Sequence, residues 1–164
     1  MIGKSGIRII YGDKPKQMVK ELLEVIKPEE EIDKDALIGI KSNLVVAKPS
    51  SSGATTSPEI VAGLIEYLKA KGRNKIVIME GSWVGDRTSE AFKVCGYEDL
   101  SEKYQVPLID LQKDKFKTFA IDDLQINICD YVTKVEYLIN IPVLKGHCQT
   151  NITCALKNMK GCIP

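Results

Sequence analysis

The residues best suited to chemistry in this 164-residue chain crowd near its end. Between Lys145 and Cys162 stand its single histidine, His147, three of its five cysteines and three of its lysines. Imidazole titrates closest to neutral pH, so His147 could carry a proton or ligate a metal. Lys145, two residues earlier, could hold an anion. The apolar run from Tyr137 to Ile141 reads as a buried strand, and Pro142 ends it because proline offers the ladder no donor. A polar turn follows. Thr150 or Asn151 is then placed to cap a helix reaching about Lys160, with Gly161 as its stop. On that helix Asn151, Cys154 and Asn158 would share one face, and Thr153 would neighbour Lys157. Strand, polar turn and helix start is where α/β proteins hold their ligands.

Two further stretches carry candidate residues. In Ser51-Ser52-Gly53-Ala54-Thr55-Thr56-Ser57-Pro58, small side chains would let backbone amides approach a ligand, and the helix opening at Ser57 favours anions. Lys41 and Lys48 could add charge to this loop, and Asn43 lies on its approach. The stretch lacks the Gly-Lys-Ser/Thr ending of a Walker loop, and it is not a GxGxxG fingerprint. The other stretch is Glu80-Gly81-Ser82. A carboxylate at the carboxyl end of a central strand can serve as a general base or bind a metal. Asp86, just beyond, is the better candidate to cap the next helix. The cysteines show no CxxC spacing, which speaks against a zinc ribbon or a ferredoxin-type run. Cys129 and Cys154 read as small buried hydrophobes.

The elements that would position these residues alternate. Strands are expected at Ile7 to Tyr11, Ala36 to Ile40, Lys75 to Met79, Val106 to Leu111 and Tyr137 to Ile141. Helices are expected from Pro15, from Ser57, over Asp86 to Val94, and over Leu100 to Tyr104. Phe116 to Ile121 and Leu124 to Cys129 form a hairpin turned at Asp122-Asp123. The acidic run Glu29 to Asp35 reads as a solvated connection. The nearly continuous apolar strands call for cover on both faces. The expected fold is a three-layer α/β domain spanning residues 1–164, with a mostly parallel, doubly wound sheet and a small β-hairpin insert.

Composition narrows the function classes. Apolar residues make up 44% of the chain and charged residues 27%, the balance of a globular domain. A net charge of +1, from 23 basic and 22 acidic residues, lacks the basic excess of a nonspecific nucleic-acid binder. No apolar run approaches the ~20 residues of a membrane helix. With no signal-peptide pattern at Met1 to Gly6, the expected location is cytoplasmic. Five irregularly spaced cysteines do not make a disulfide framework.

Taken together, Lys41-Ser42-Asn43-Leu44-Val45, Gly53-Ala54-Thr55-Thr56-Ser57-Pro58-Glu59, Glu80-Gly81, Gly96-Tyr97, Ile141-Pro142-Val143-Leu144-Lys145-Gly146-His147 and Ala155-Leu156-Lys157-Asn158-Met159-Lys160-Gly161 resemble domain of unknown function family 362. The motif order is kept over nearly the whole chain, and Ser42 stands where the family more often has proline. Members of that family are commonly longer, so the resemblance implies that this chain is the N-terminal part of a longer family domain. Some members carry an added four-iron–four-sulphur ferredoxin module. No cluster motif stands in this chain, so the iron–sulphur label does not transfer, and the cofactor stays open. The family brings no established reaction.

Three functions remain in view. One is an enzyme or enzyme half-site for a small anionic molecule, metal- or redox-linked. There Glu80, His147 and Lys145 would do the chemistry, and Lys41, Asn43, Gly53, Thr55, Thr56, Ser57, Lys157 and Asn158 would bind the ligand. The second is a noncatalytic electron-transfer or cofactor-carrier component working with a ferredoxin-like, iron–sulphur partner. The third is a scaffold in which these motifs only stabilise turns. Neither nucleic acid nor membrane is an expected partner.

Overall fold

Ile38-Gly39-Ile40 and Ile76-Val77-Ile78-Met79 are apolar at every position, and the chain folds so that both are covered on both sides. The computed structural model describes residues 6–164. In chain order the elements are α1 (Pro15–Ile26), β1 (Ile38–Lys41), α2 (Pro58–Ala70), β2 (Ile76–Glu80), α3 (Thr88–Val94), α4 (Tyr97–Tyr104) and β3 (Leu108–Asp110). They continue with β4 (Phe116–Ile121), β5 (Leu124–Cys129), β6 (Tyr137–Asn140), β7 (Lys145–His147), β8 (Asn151–Thr153) and α5 (Ala155–Asn158), which leads into a 3-10 turn, Met159–Cys162.

Strands β1, β2, β3 and β6 form one sheet in the order β3-β2-β1-β6, and every neighbouring pair is parallel. The chain steps outward from β1 to β3, then returns to place β6 on the other side of β1. Right-handed crossovers require the outward and return connections to lie on opposite faces. On one face Ile38, Ile40, Ile76 and Ile78 pack with Val61, Leu64, Ile65 and Leu68 of α2, together with Leu23, Phe92, Tyr97 and Leu100. On the other, Val77 and Met79 meet Leu111, Cys129 and Cys162, with Val132, Val135 and Met159 alongside. The three layers are therefore unequal, since helices cover the first face and turns with the chain's last residues cover the second.

Local chemistry explains much of this. Ser57 caps α2, its Oγ accepting from Glu59 N at 3.3 Å, and Pro58 opens the first turn. The hairpin β4–β5 closes on Asp122, whose φ of 51° suits the tight turn. Glu66 joins three helices, because Lys16 and Lys20 of α1 pair with it and Tyr104 of α4 donates to it. Burial works against the charge, but these partners hold the Glu66 carboxyl at about 2.

Several expectations are corrected. Ile7 to Tyr11 is not a strand. It finds no ladder partner, and Ile7, Ile9 and Tyr11 are exposed. β propensity without a neighbouring strand to bond does not make one. The run Glu29 to Asp35 is not merely solvated, for Ile32 enters the core and Glu29 accepts from the Tyr67 hydroxyl at 2.7 Å. Helix α3 starts at Thr88, and Asp86 does not cap it. Asp86 instead accepts from Arg87 N and Ala47 N, tying two loops together. Helix α4 starts three residues before Leu100, at Tyr97.

The largest correction concerns residues 145–162. The expected helix from Thr150 is a hairpin, β7–β8, followed by the single turn of α5. Thr150, Ile152 and Thr153 are β-branched and stiff in a helix, and Asn151 takes a left-handed φ of 61° at the end of a three-residue loop. The expected helix face of Asn151, Cys154 and Asn158 therefore does not exist. Cys154 is exposed rather than buried, whereas Cys129 is buried as expected. Among the described residues no helix is long and apolar enough to cross a membrane.

Candidate functional site

The chain's strand order reverses between β1 and β6, and open α/β sheets bind ligands outside the carboxyl ends of strands at such a point. Lys41 ends β1 and Glu80 ends β2. The two side chains are 0% and 2% exposed and pair at 2.6 Å. Glu80 Oε1 also accepts from Gly81 N at 2.8 Å, while Oε2 accepts from Leu44 N. Lys41 Nζ donates as well to the Ser42 carbonyl at 2.6 Å. Burial pushes the Glu80 carboxyl above its usual range, against the pull of Lys41 and the two amides. The pair is roofed by two glycines. A Cβ on Gly161 would stand 2.7 Å from the Gly81 carbonyl oxygen and 3.0 Å from Glu80 Oε1. The chain's last turn thus lies directly on the pair.

Amides and hydroxyls stitch the strand ends together. Asn158 Nδ2 donates to Asn140 Oδ1 at 2.7 Å and to the Ser42 carbonyl at 3.2 Å, bridging β6 and β1. Asn43 N donates to Thr56 Oγ1 at 3.0 Å, and that hydroxyl donates to the Ile141 carbonyl at 2.8 Å. Three buried side-chain atoms find no hydrogen-bond partner among the described residues: Ser42 Oγ, Asn43 Oδ1 and Thr153 Oγ1. The Ser42 hydroxyl lies beside the Tyr97 phenol.

The hairpin β7–β8 has its polarity reversed relative to an ordinary surface ribbon. Lys145 pairs across the ladder with Thr153, and His147 with Asn151, so these four share one face. Thr153 on that face is buried, and Lys145 and His147 are half-buried. Outside the site, Leu144, Ile152 and Leu156 are 71%, 56% and 92% exposed. The ribbon thus turns Lys145, His147 and Thr153 toward the fold and Ile152 to solvent, with Asn151 exposed near its tip. Lys145 Nζ donates to the Ala54 carbonyl, linking the hairpin to the 50–57 loop. Burial, then repulsion from Lys157, lowers the Lys145 pKa, with Glu80 opposing.

His147 is held in one tautomer. Its Nδ1 accepts from Gln149 N at 3.2 Å and Thr150 N at 3.3 Å, which a protonated Nδ1 could not do. Partial desolvation, then Lys157, Lys145 and Lys160, holds its pKa below the ordinary 6.5. The folded hairpin therefore favours neutral imidazole. The corresponding stability is present above pH 6.5 and is lost as pH falls through the lower folded value. Nitrogen-detected NMR is expected to show an Nε2–H tautomer titrating below 6.5, with Gln149 and Thr150 amides exchanging faster as His147 protonates. A midpoint at or above 6.5 would contradict this placement.

The loop from Gly53 to Ser57 presents fewer amides than its composition suggests. Gly53 N bonds the Ser50 carbonyl, Ala54 N the Ser52 hydroxyl and Thr56 N the Asn43 carbonyl. An open cleft of about 780 Å³ lies against this loop, lined by Gly53, Thr55, Thr56, Ser57 and the connector Ile141 to Leu144. Asp13 and Glu59 also line it, so its charge does not suit an anion.

The fold thus gathers Lys41, Asn43, Thr56, Glu80, Asn158 and Lys145 around the ends of β1, β2 and β6, with His147 and Lys157 beside them. Gly53, Thr55 and Ser57 belong to the neighbouring cleft. Sequence reasoning put Thr153 on a helix beside Lys157, and it missed Asn140 and the Gly81–Gly161 roof. The period-two spacing of Lys145 and His147, and of Asn151 and Thr153, was the available sign of a hairpin with one polar face. Among the described residues no three His, Cys, Asp or Glu side chains gather as a metal-binding group.

Comparison with known proteins gives two findings. The family described as Domain of unknown function (DUF362) matches residues 38–164, which contain every candidate residue above. Thylakoid-associated protein sll1697 of Synechocystis sp. is 24% identical over 125 residues, covering 76% of this chain and 38% of that protein. The chain therefore spans well under half the length of this curated relative.

Proposed function

Since the chain belongs to the Domain of unknown function (DUF362) family, whose description names no reaction, we propose a function from the site itself: recognition of a small anionic ligand at the β1–β6 switch point. The observation that carries this reading is the inverted hairpin, which turns Lys145, Thr153 and His147 inward over the strand ends. Lys145 and Lys157 supply charge, and the buried Thr153 hydroxyl supplies a donor without a partner. The neutral His147 ring has its Nε2–H to offer. Lys41 and Glu80 form the floor, where their mutual charge keeps the strand ends in register. In an enzyme half-site of this kind His147 moves the proton, because Glu80 is enclosed.

The test is titration calorimetry with phosphate and small carboxylates. Lys145→Ala is expected to weaken binding by about 1–3 kcal/mol, the scale of a charge-assisted hydrogen bond. Its thermal midpoint should stay close to that of the wild type, since a half-buried lysine bonded to one carbonyl contributes little to the core. Unchanged affinity would remove Lys145 from the site. A large loss of stability would assign it a structural role instead.

A second reading, a carrier that works with a ferredoxin-like partner, draws on the outward patch of Leu144, Ile152 and Leu156. Metal and sulphide analysis of anaerobically purified protein tests it. Metal-free protein that still binds anions would favour the first reading.

A further inference from the structure

We infer that the ligand of this crevice carries two or more negative charges, and that it is gripped between Lys145 and Thr153 of the β7–β8 hairpin and Lys157 and Lys160 of the chain's last turns. The inference rests on the anion-recognition reading above and adds the class of ligand.

It begins with a charge count over the elements that meet there. The hairpin brings Lys145, and the turns of α5 and Met159–Cys162 bring Lys157 and Lys160. None of the three has an acidic partner among the described residues. The strand ends bring Lys41 and Glu80, which neutralise one another at 2.6 Å. His147 is held neutral by the two amides on its Nδ1. Asp13 and Glu59 line the separate cleft beside α2. Three lysines without a salt-bridge partner therefore stand around His147, which feels all three, while Lys145 feels Lys157 with Glu80 opposing.

A single negative charge would leave two of these lysines opposed only by each other in a partly desolvated space. Each further charge on the ligand removes a repulsion as well as adding an attraction. Thr153 gives the independent sign that a ligand group is expected here. It is 2% exposed, its hydroxyl is unpartnered, and ladder pairing puts it on the same inward face as Lys145. The Thr153 hydroxyl and the Lys145 ammonium, carried on one face of the ladder, are two donors for one acid group. Lys157 and Lys160 are then left for a second. Di- or tricarboxylates and linked phosphates share this chemistry, and the choice between them is made by experiment.

The experiment is calorimetric titration of the full chain with acetate, inorganic phosphate, citrate and pyrophosphate at matched ionic strength. Citrate or pyrophosphate is expected to bind at least about tenfold more tightly than acetate, the gain from one additional charge-assisted contact. Whichever of the two binds more tightly identifies the carboxylate or phosphate class. Lys157→Ala and Lys160→Ala should each lower polyanion affinity about fivefold or more, and by a larger factor than they lower acetate affinity. Thr153→Val should lower it with the lysines intact. Lys93→Ala, on an exposed face of α3, is the control and should change nothing. Equal affinity for acetate and the polyanions would overturn this inference and leave the anion reading standing. No binding of any anion would overturn both. An equal loss in the Lys93 variant would reduce the effect to nonspecific charge and overturn the inference.

Discussion

Glu80→Ala is expected to cost the fold about 3–5 kcal/mol, the range for removing one partner of a buried ion pair. Lys41 and Glu80 are 0% and 2% exposed, so neither can turn to water when the other is lost. Without the carboxylate, the Lys41 ammonium keeps only the Ser42 carbonyl at 2.6 Å. The Leu44 and Gly81 amides lose their acceptor at the same moment. Domains of this size are stable by about 5–15 kcal/mol in total, so the variant should unfold at visibly lower denaturant. The double variant Lys41→Met with Glu80→Leu should recover much of the loss, because it removes both charges and keeps volume. Urea melts of the wild type, both single variants and the double variant measure the coupling. A Glu80→Ala protein within about 1 kcal/mol of wild type would mean that water reaches the pair, and its role as a sealed floor would be withdrawn.

Gly161→Ala should lift the chain's last turn. The added Cβ would stand 2.7 Å from the Gly81 carbonyl oxygen, which is backbone and cannot swing aside. Overpacking of this kind costs about 1–3 kcal/mol, and it falls here on the Met159–Cys162 turn rather than on the sheet. The local readout is thiol reactivity. Cys148 and Cys154 are exposed and should react at once, whereas Cys95, Cys129 and Cys162 are buried. Burial pushes the Cys162 thiol up to about 11, which slows it further. In the variant a third thiol should become fast, and Gly161→Ala combined with Cys162→Ser should return the count to two. Anion affinity should fall with it, since Lys157 and Lys160 ride on the same segment. An unchanged thiol count and an unchanged melt would show that the segment does not press on Gly81.

Much of this fold is legible in the sequence, and the legible parts share a cause. The strands at Ile38 and Ile76, the α2 start at Ser57-Pro58 and the hairpin over Phe116 to Cys129 all follow from side-chain period and turn chemistry within a few residues. Those signals are local, so a linear reading captures them. The misjudged parts depend on partners far along the chain. Ile7 to Tyr11 has the composition of a strand, but a strand exists only when another offers it a ladder. The spacing of residues 145–153 predicts a turn and a helix start, and pairing between Lys145 and Thr153 makes them a ribbon instead. The sequence offers Lys41 as a charge for an anion beside the 51–58 loop. Only the parallel register of β1 and β2 brings it to Glu80, 39 positions away, and only the docking of Gly161 on Gly81 closes water out. Composition and spacing thus determined which residues could do chemistry and which elements would carry them. Tertiary packing decided which of those charges are buried against each other and which stand uncompensated, because desolvation is a property of the assembled neighbourhood and not of any residue in it.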